Sequence, residues 1–262
     1  MQIILDGKYQ AEKSVVALGM FDGVHIGHQV LLRKARALAD ERRVPLVACT
    51  FAQHPLALIS PEKAPALLTT PEERAAQLEA LGVDVLYAQP FDEELMHMLP
   101  EEYVGQLVRH FHPSAVVCGY NHTFGRNGSG TPALLGVLGG ALGFDTVAVP
   151  QITLNGQEVS STAVRSALGE GNARRAWQLL GRPYEQQAVA QKEDGGMCRL
   201  TLSQEGKQPL PAGTYRILWD DGNRRLPAVL HLESNCDGWC LLPAAESGPV
   251  RLCYLTQLAL NF

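Results

Sequence analysis

The chain has 262 residues, and its 22 Lys and Arg against 27 Asp and Glu give a formal net charge of −5. A hydrophobic fraction of 46% with 19% charged residues is ordinary for a globular protein and excludes a disordered chain, a collagen-like repeat or a coiled coil. Because the acidic balance offers no basic surface to a polynucleotide, we expect no nucleic-acid partner. No apolar run reaches the roughly 18 residues of a membrane span, so we expect no membrane partner and a cytoplasmic location.

Six cysteines are scattered along the chain without a repeated close pairing. Only Cys236 and Cys240 are near neighbours, and no second pair stands at the spacing of a zinc site. The remaining cysteines are Cys49, Cys118, Cys198 and Cys253. We therefore expect reduced thiols and no metal ion bound by protein side chains.

Strand-like and helix-like segments alternate between Ser14 and Pro150. The predicted strands are 14–19, 45–51, 83–87, 114–118 and 145–149. Helices are predicted from about residue 27, from the capping pattern Thr-Pro-Glu-Glu at 70–73, and over about 100–111 and 132–142. Strands that are apolar on both faces and separated by helices indicate a parallel sheet covered on both sides. The sequence therefore predicts a doubly wound, Rossmann-like α/β domain.

The pattern changes after about residue 180. Two predicted helices, 161–168 and 172–180, are followed by strand-like runs such as 214–219 and 228–232. The dipeptides Asp221-Gly222 and Asp237-Gly238 each predict a hairpin turn. We expect one domain over residues 1–184 and a small antiparallel β-barrel over 185–262.

The most informative segment is 19–28, Gly-Met-Phe-Asp-Gly-Val-His-Ile-Gly-His, which joins the first of these strands to a helix. Such a junction directs backbone N–H groups and the positive end of the helix dipole toward one point, which suits a phosphate. His25 and His28 add side-chain donors, and Gly27 lets a ligand approach the backbone closely. The alternative is a pair of structural histidines beside a turn. We favour nucleotide chemistry for His-x-Gly-His in this position.

A second candidate phosphate site is 159–165, Val-Ser-Ser-Thr-Ala-Val-Arg. Hydroxyls at a helix start cap backbone donors, and the same geometry presents donors to a phosphate, with Arg165 one turn inside as a cation. For each hydroxyl taken singly, capping is the better interpretation. Both segments can meet at the carboxyl ends of the predicted strands, where α/β sheets bind ligands, and this favours binding.

These segments resemble the nucleotidylyltransferase superfamily, and further matches resemble the bacterial bifunctional riboflavin kinase/FMN adenylyltransferases, the FAD synthetases. The matching motifs are Gly-x-Phe-Asp-Gly-Val-His-x-Gly-His-Gln at 19–29, Thr-Phe-x-x-His-Pro at 50–55, Leu-Thr-Thr at 68–70, Gly-Tyr-Asn-His-Thr-Phe-Gly at 119–125 and Leu-Leu-Gly-Arg-Pro-Tyr at 179–184. The resemblance covers about residues 1–185. It implies transfer of AMP from ATP to FMN, giving FAD and pyrophosphate, with Mg²⁺ on the ATP phosphates and no protein nucleophile.

The resemblance also implies roles for individual residues. His25 and His28 would contact the ATP phosphates and stabilise the leaving pyrophosphate, while Ser161, Thr162 and Arg165 would bind the same triphosphate from the other side. Further ATP contacts would come from Gly19, Phe21, Asp22, Gly27 and Ser160. The FMN site would comprise Phe51, His54, Pro55, Asn121, Phe124 and Gly125.

Other roles compete with some of these assignments. For His54, which precedes a proline, bonding to the backbone is slightly favoured over ligand contact. Asn121 could be an ordinary turn residue, although the loop 124–128 is long enough to form an active-site flap. For the remaining histidines a structural role is preferred; they are His97, His110, His112 and His231.

Two features depart from the family pattern. Glu158 stands where family members often carry a basic residue, and it places a negative charge where the triphosphate would approach. After Tyr184 the family's kinase signature, Gly-Arg-x-x-Gly-Phe-Pro-Thr-Ala-Asn, is missing, although Pro-Ala-Gly-Thr-Tyr at 211–215 resembles a strand entry of the kinase barrel. We therefore expect a divergent, shortened barrel without riboflavin kinase activity.

Two other functions stay open at this point. The acceptor could be a different phosphorylated compound, such as nicotinamide mononucleotide or pantetheine phosphate, but the motifs at 50–55 and 119–125 favour FMN. A flavin- or nucleotide-binding protein with little turnover would be consistent with Glu158 and with the missing signature. The complete set of implied phosphate contacts favours an enzyme.

Overall fold

A computed structural model describes residues 1–203, 206–234, 237–242 and 246–258. The chain divides into two units, one of Met1–Pro65 with Thr69–Thr153 and the other of Ala66–Leu68 with Leu154–Phe262. The sequence predicts a different boundary, after residue 184, between the adenylyltransferase domain and the kinase-like barrel. That boundary stays a prediction. Within the described ranges, no helix is long and apolar enough to cross a membrane.

In the described residues of the first unit, six parallel strands form one sheet. They are β1 (Gln2–Ile4), β2 (Ser14–Leu18), β3 (Leu46–Phe51), β4 (Val85–Gln89), β5 (Pro113–Gly119) and β6 (Asp145–Val149). Their order across the sheet is β1-β4-β3-β2-β5-β6, and β2 is buried at every position. Since β2 has β3 on one side and β5 on the other, its carboxyl end is a topological switch point, where open α/β sheets bind ligands.

Helices cover both faces of this sheet. They are α1 (Ile26–Arg42), α2 (Leu56–Ile59), α3 (Pro71–Ala80), α4 (Glu93–His97), α5 (Pro100–Phe111) and α6 (Pro132–Leu142). On one face Val15 belongs to a core cluster with Leu32 of α1 and Leu78 of α3. On the other face Val16 belongs to a cluster with Leu107 of α5. The doubly wound, Rossmann-like class is therefore confirmed.

The start of α3 shows how directly local sequence determines one of these helices. The Thr70 hydroxyl accepts a hydrogen bond from the Glu73 N–H (3.2 Å), and the Glu73 carboxylate accepts one from the Thr70 N–H (3.1 Å). Together they form the predicted capping box, with Pro71 at the first helical position. This cap fixes where the chain enters α3 and where Thr69, one residue earlier, is placed.

The second unit contains a closed antiparallel barrel, as the sequence predicts. A short hairpin of β7 (Thr153–Leu154) and β8 (Gln157–Glu158) spans the point in the chain where this unit resumes, and α7 (Ser161–Gly169) and α8 (Ala173–Leu180) follow. The barrel strands are β9 (Tyr184–Lys192), β10 (Met197–Leu202), β11 (Gly213–Asp220), β12 (Arg225–Leu232), β13 (Asp237–Leu241) and β14 (Gly248–Leu258). They close in the order β10-β13-β12-β11-β14-β9. The missing kinase signature therefore coexists with a closed barrel.

One of the two predicted Asp-Gly turns is correct and the other is wrong. Asp221 and Gly222 lie in the turn between β11 and β12, where the Asp221 carboxylate accepts from the Asn223 and Arg224 N–H groups. Gly238 instead lies inside β13, opposite Leu200 of β10. A Cβ there would stand 2.8 Å from the His231 carbonyl oxygen. The glycine therefore allows the two neighbouring strands to approach closely.

The five described cysteines carry free thiols and are buried. Burial raises the pKa of Cys49 and Cys240 to about 12, so these thiols stay protonated near neutral pH. Cys236 lies outside the described residues.

Candidate active site

The loop between β2 and α1 lies at the switch point of the sheet. Its backbone has positive φ angles at Phe21 (52°), Gly23 (78°) and Val24 (39°), an unusual conformation for the two residues that carry a Cβ. The Phe21 ring is fully buried, and a Cβ at Gly19 would stand 3.0 Å from it. The predicted ATP contacts Gly19 and Phe21 therefore also shape this loop.

Asp22 ties the loop to the segment before α3. Its buried carboxylate accepts hydrogen bonds from the Thr69 N–H (3.1 Å) and the Thr69 hydroxyl (3.2 Å). The same hydroxyl accepts from the Gly23 N–H at 3.1 Å. Thr69 thus fixes the loop through three bonds, and the predicted ATP contact of Asp22 stays a prediction.

His25 and His28 stand together at the start of α1. The Nδ1 atom of His25 accepts the His28 backbone N–H (3.3 Å) and so caps the helix. Because Nδ1 accepts, the neutral His25 ring carries its proton on Nε2. The two rings are stacked with centroids 3.7 Å apart, and the rings of His28 and Phe21 meet in a T-shaped arrangement with centroids 5.3 Å apart. The structure therefore brings the two predicted catalytic histidines into contact.

The electrostatics of this pair favour an uncharged His28 ring. Burial, reinforced by the neighbouring His25, holds the pKa of His28 well below the usual range of histidine. The Nδ1 atom of His28 is buried and has no hydrogen-bond partner. A neutral imidazole at a helix N-terminus offers an N–H donor to an anion without requiring an additional buried charge.

The end of β3 carries the motif 50–55, on which part of the FMN prediction rests. The Thr50 hydroxyl donates to the Met20 carbonyl at 3.0 Å, which ties this end to the segment 19–28, called the histidine loop below, which includes the first residues of α1. Phe51 packs edge-on against Phe91 with centroids 5.2 Å apart. The Nδ1 atom of His54 accepts the Leu56 N–H (3.1 Å), so the backbone bond favoured from the sequence is present. Pro55 immediately precedes α2.

Arg74 is the residue of this region that sequence reasoning missed. It lies on α3, is 7% exposed, and donates from Nη1 to the Met20 carbonyl and from Nη2 to the Phe51 carbonyl, both at 3.3 Å. Its guanidinium therefore bonds both to the histidine loop and to the end of β3. A basic side chain near the positive end of a helix opposes the usual charge preference, and this was the available sequence signal.

The segment after β5 carries the remaining predicted FMN residues. Asn121 is exposed, whereas Phe124 is buried and packs against Tyr103 with ring centroids 5.5 Å apart. Gly125 has a φ of 68°, and a Cβ there would stand 2.8 Å from the backbone nitrogen of Pro100. Phe124 and Gly125 therefore anchor the base of the predicted flap, and Asn121 is the member of this set that is exposed.

His122, beside Asn121, was not among the predicted site residues. Burial lowers its pKa to about 4, and its Nε2 atom is buried without a hydrogen-bond partner. The ring lies nearly parallel to that of Phe124, with centroids 5.9 Å apart. Its sequence signal was its position inside the motif 119–125.

In the second unit, the predicted triphosphate residues surround the start of α7. The Ser160 hydroxyl accepts the Ala163 N–H at 3.2 Å and caps the helix, as its capping interpretation requires. Ser161 is half-buried and Thr162 is exposed. The Nε atom of Arg165 donates to the Ala66 carbonyl at 2.7 Å. Their contacts with a triphosphate stay predictions.

Two charge features bear on ligand binding. Glu158, the acidic departure from the family pattern, is exposed in β8. Among the described residues, no group of three or more His, Cys, Asp or Glu is arranged to hold a metal ion.

Part of the chain matches a known protein family. Residues 7–163 match the family model described as FAD synthetase. The matched range contains all of the predicted catalytic residues except Arg165.

Curated relatives carry related names. The chain is 36% identical over 179 residues to the bifunctional riboflavin kinase/FMN adenylyltransferase of Bacillus subtilis, covering 68% of this chain and 56% of that protein. It is 34% identical over 174 residues to the enzyme of the same name from Escherichia coli K12, covering 66% and 56%. A protein named FAD synthetase from Listeria monocytogenes is 33% identical over 205 residues, covering 78% and 80%. The chain thus spans about half the length of the bifunctional relatives that it matches.

A solved structure resembles the whole fold. The crystal structure of a protein named macrolide-efflux protein from Streptococcus pneumoniae superposes with a TM-score of 0.86 over 98% of both chains, at 24% sequence identity. At this identity the likeness concerns the fold.

Proposed function

Because the chain belongs to the FAD synthetase family, we propose that it is an FMN adenylyltransferase, which transfers AMP from ATP to FMN and releases pyrophosphate. The structural observation that carries the proposal is the stacked pair of His25 and His28 at the N-terminus of α1. The pair combines helix N–H groups, the positive end of the dipole and neutral imidazoles at the switch point of the sheet.

The proposed reaction is a direct displacement at phosphorus. A phosphate oxygen of FMN attacks the α-phosphorus of ATP, an O–P bond forms, and the bond to the bridging oxygen of pyrophosphate breaks. Negative charge grows on the leaving pyrophosphate, and N–H donors fixed beforehand stabilise it without reorganising. His25 and His28 would supply such donors, and Ser161, Thr162 and Arg165 would bind the same triphosphate.

ATP and FMN are the proposed substrates, and ATP would react as its magnesium complex. The ion would neutralise part of the phosphate charge as part of the substrate. The cytoplasmic location expected from the sequence stays a prediction.

We further propose that the barrel does not phosphorylate riboflavin. This rests on the signature that is missing after Tyr184, while the bifunctional names of the relatives argue for the opposite. The two activities are separable, because each has its own flavin substrate.

The test is to incubate the purified protein with ATP and Mg²⁺, offer either FMN or riboflavin, and separate the flavins by chromatography. We expect FAD from FMN, no FMN from riboflavin, and no FAD when EDTA removes the magnesium. The absence of FAD from FMN would contradict the adenylyltransferase proposal. The appearance of FMN from riboflavin would contradict the proposed lack of kinase activity.

A further inference from the structure

We propose that Arg74 is a positioning residue for adenylyl transfer, which holds the histidine loop in register with the end of β3. The inference rests on the proposed function. It adds a residue outside the histidine and hydroxyl motifs to the machinery of the reaction.

The geometry joins two loops through one planar group. Nη1 of Arg74 donates to the Met20 carbonyl and Nη2 to the Phe51 carbonyl, each at 3.3 Å. Strands β2 and β3 pair in parallel up to Leu18 and Cys49, so both carbonyls lie just beyond the last paired residues. The guanidinium therefore continues the connection between β2 and β3 where the ladder between these two strands ends, while β3 stays paired with β4 through Phe51.

The chemistry of this contact suits arginine in particular. The planar guanidinium presents donors at a fixed spacing, so holding one carbonyl sets the position of the other. A lysine ammonium is a single flexible point and cannot define two positions in the same way.

Stability alone gives a poor reason for burying Arg74. Its hydrogen-bond acceptors are two neutral carbonyls, and its Nε atom is buried without a partner. Burial lowers the pKa of Arg74, which shows the cost of charging it there, and the nearby Asp22 offsets this in part. A buried charge with incomplete hydrogen bonding is weak evidence for stabilisation.

Positioning gives a direct reason. One loop carries His25 and His28, and the other leads into the acceptor motif ending at Pro55. In-line displacement requires the reacting oxygen and phosphorus to be held close and aligned, and a misplacement of about 1 Å can cost about a hundredfold in rate. A shift between these two segments would therefore lower kcat more than it weakens the binding of ATP or FMN.

Other contacts hold the loops when Arg74 is changed. The Thr50 hydroxyl still donates to Met20, and Thr69 still bonds to Asp22 and Gly23. Replacing Arg74 therefore removes the link to Phe51 without releasing the histidine loop altogether.

Three variants test the assignment. Arg74→Met removes both bonds while keeping an unbranched chain, and Arg74→Lys keeps the charge but not the planar fork. The matched control is Arg36→Met on α1, because Arg36 also donates to a backbone carbonyl, that of Gly82, and to Asp84. Asp84 immediately precedes β4, so Arg36 acts at the amino end of the sheet, away from the switch point.

Steady-state kinetics with ATP and FMN give the first readout. We expect Arg74→Met to lower kcat by about tenfold to a hundredfold, with KM for both substrates within about threefold. Arg74→Lys should fall between this variant and the wild type, and Arg36→Met should keep the wild-type kcat. An unchanged kcat in Arg74→Met, a loss confined to KM, or an equal loss of kcat in Arg36→Met would overturn the assignment.

Hydrogen exchange gives a readout that does not need activity. Peptides covering 19–28 and 51–56 should exchange faster in Arg74→Met than in the wild type and should be unchanged in Arg36→Met. If the wild type forms no FAD, the proposed function fails, and exchange alone then decides whether Arg74 couples the two segments. Unchanged exchange in both peptides would overturn the positioning role.

Discussion

At the scale of single residues, several polar side chains of the candidate site bond to backbone groups. His25, His54 and Ser160 each accept a backbone N–H close to the start of a helix. The sequence allowed both this structural role and ligand contact, and the two are compatible. A histidine that accepts through Nδ1 carries its proton on Nε2, which is thereby defined as the donor.

His28 is the residue at which ligand contact can best be tested apart from a structural role. Its Nδ1 atom is buried without a partner and adds little to stability. We expect His28→Ala to lower kcat for FAD formation by about a hundredfold or more, the usual cost of removing a donor from developing negative charge. The melting temperature should change by only a few degrees.

The matched control for this change is His97→Ala, since His97 bonds to the Glu93 carbonyl of its own helix α4. It should keep the wild-type rate. Equal losses of rate in both variants, or a His28→Ala protein that unfolds, would contradict the assignment to His28.

His122 gives a prediction about pH. Its folded pKa of about 4 lies below the ordinary value of 6.5, so the unfolded chain takes up a proton between these values that the folded chain does not. Stability therefore falls as the pH drops from about 6.5 to about 4, by roughly 3 kcal/mol from this group. His122→Phe should match or exceed wild-type stability at pH 7, since it removes an unpartnered buried nitrogen, and should lack this part of the acid loss.

Urea unfolding of both proteins at several pH values between 7 and 4 measures this difference. The two free energies of unfolding should diverge in favour of His122→Phe as the pH falls. Parallel curves would show that His122 is accessible to protons in the folded protein.

At the scale of elements, sequence signals were sufficient to predict the ends of a helix where the interacting residues are only a few positions apart. The capping box at Thr70 and Glu73 predicted the start of α3, and the helices 100–111 and 132–142 have the predicted bounds. Gly238 shows the limit: an Asp-Gly pair is typical of a turn, but here the close approach of His231 from the neighbouring strand places the glycine inside β13.

Arg74 shows the same limit for the site. Its partners are backbone carbonyls 54 and 23 residues away, and carbonyls carry no residue-specific signal. The contact of Arg74 with these carbonyls depends on the order of the strands in the sheet, so no local motif predicts it. The histidine and hydroxyl motifs could be found because their residues are close together in the sequence.

The β11–β12 hairpin of the barrel depends on a buried carboxylate. Asp220 accepts from Arg251 (2.6 Å), Arg225 (2.9 Å) and the Gly222 N–H (2.9 Å). The bond from Arg251 is the main cause that lowers the pKa of Asp220 to about 2. We expect Asp220→Asn to lower the free energy of unfolding by about 2 kcal/mol at pH 7.

The pH dependence of this effect has a defined sign. Because the folded pKa lies below the ordinary 3.8, the stabilisation is present above pH 3.8 and is lost as the pH falls toward 2. The wild type and Asp220→Asn should therefore converge in that window, measured by thermal unfolding. Asp194→Asn, at an exposed position of the same unit, is the control and should match the wild-type free energy of unfolding at pH 7. A constant gap between wild type and Asp220→Asn down to pH 2 would contradict the ion-pair account.

At the scale of the whole molecule, the net charge of −5 gives the chain no overall electrostatic attraction for anionic substrates. They would be held by local donors at the starts of helices and by a few placed cations. The family match and the Rossmann-like unit make adenylyl transfer the central claim for this chain. Whether the closed barrel contributes riboflavin kinase activity is decided by the incubation with riboflavin and ATP.

The fate of a labelled α-phosphate tests that claim most directly. Purified protein is incubated with Mg²⁺, FMN and ATP that carries radioactive phosphorus at the α position, and the products are separated. We predict label in FAD and none in pyrophosphate, with one pyrophosphate released for each FAD formed. Unlabelled FMN with intact ATP, or label released as AMP without FAD, would contradict the account.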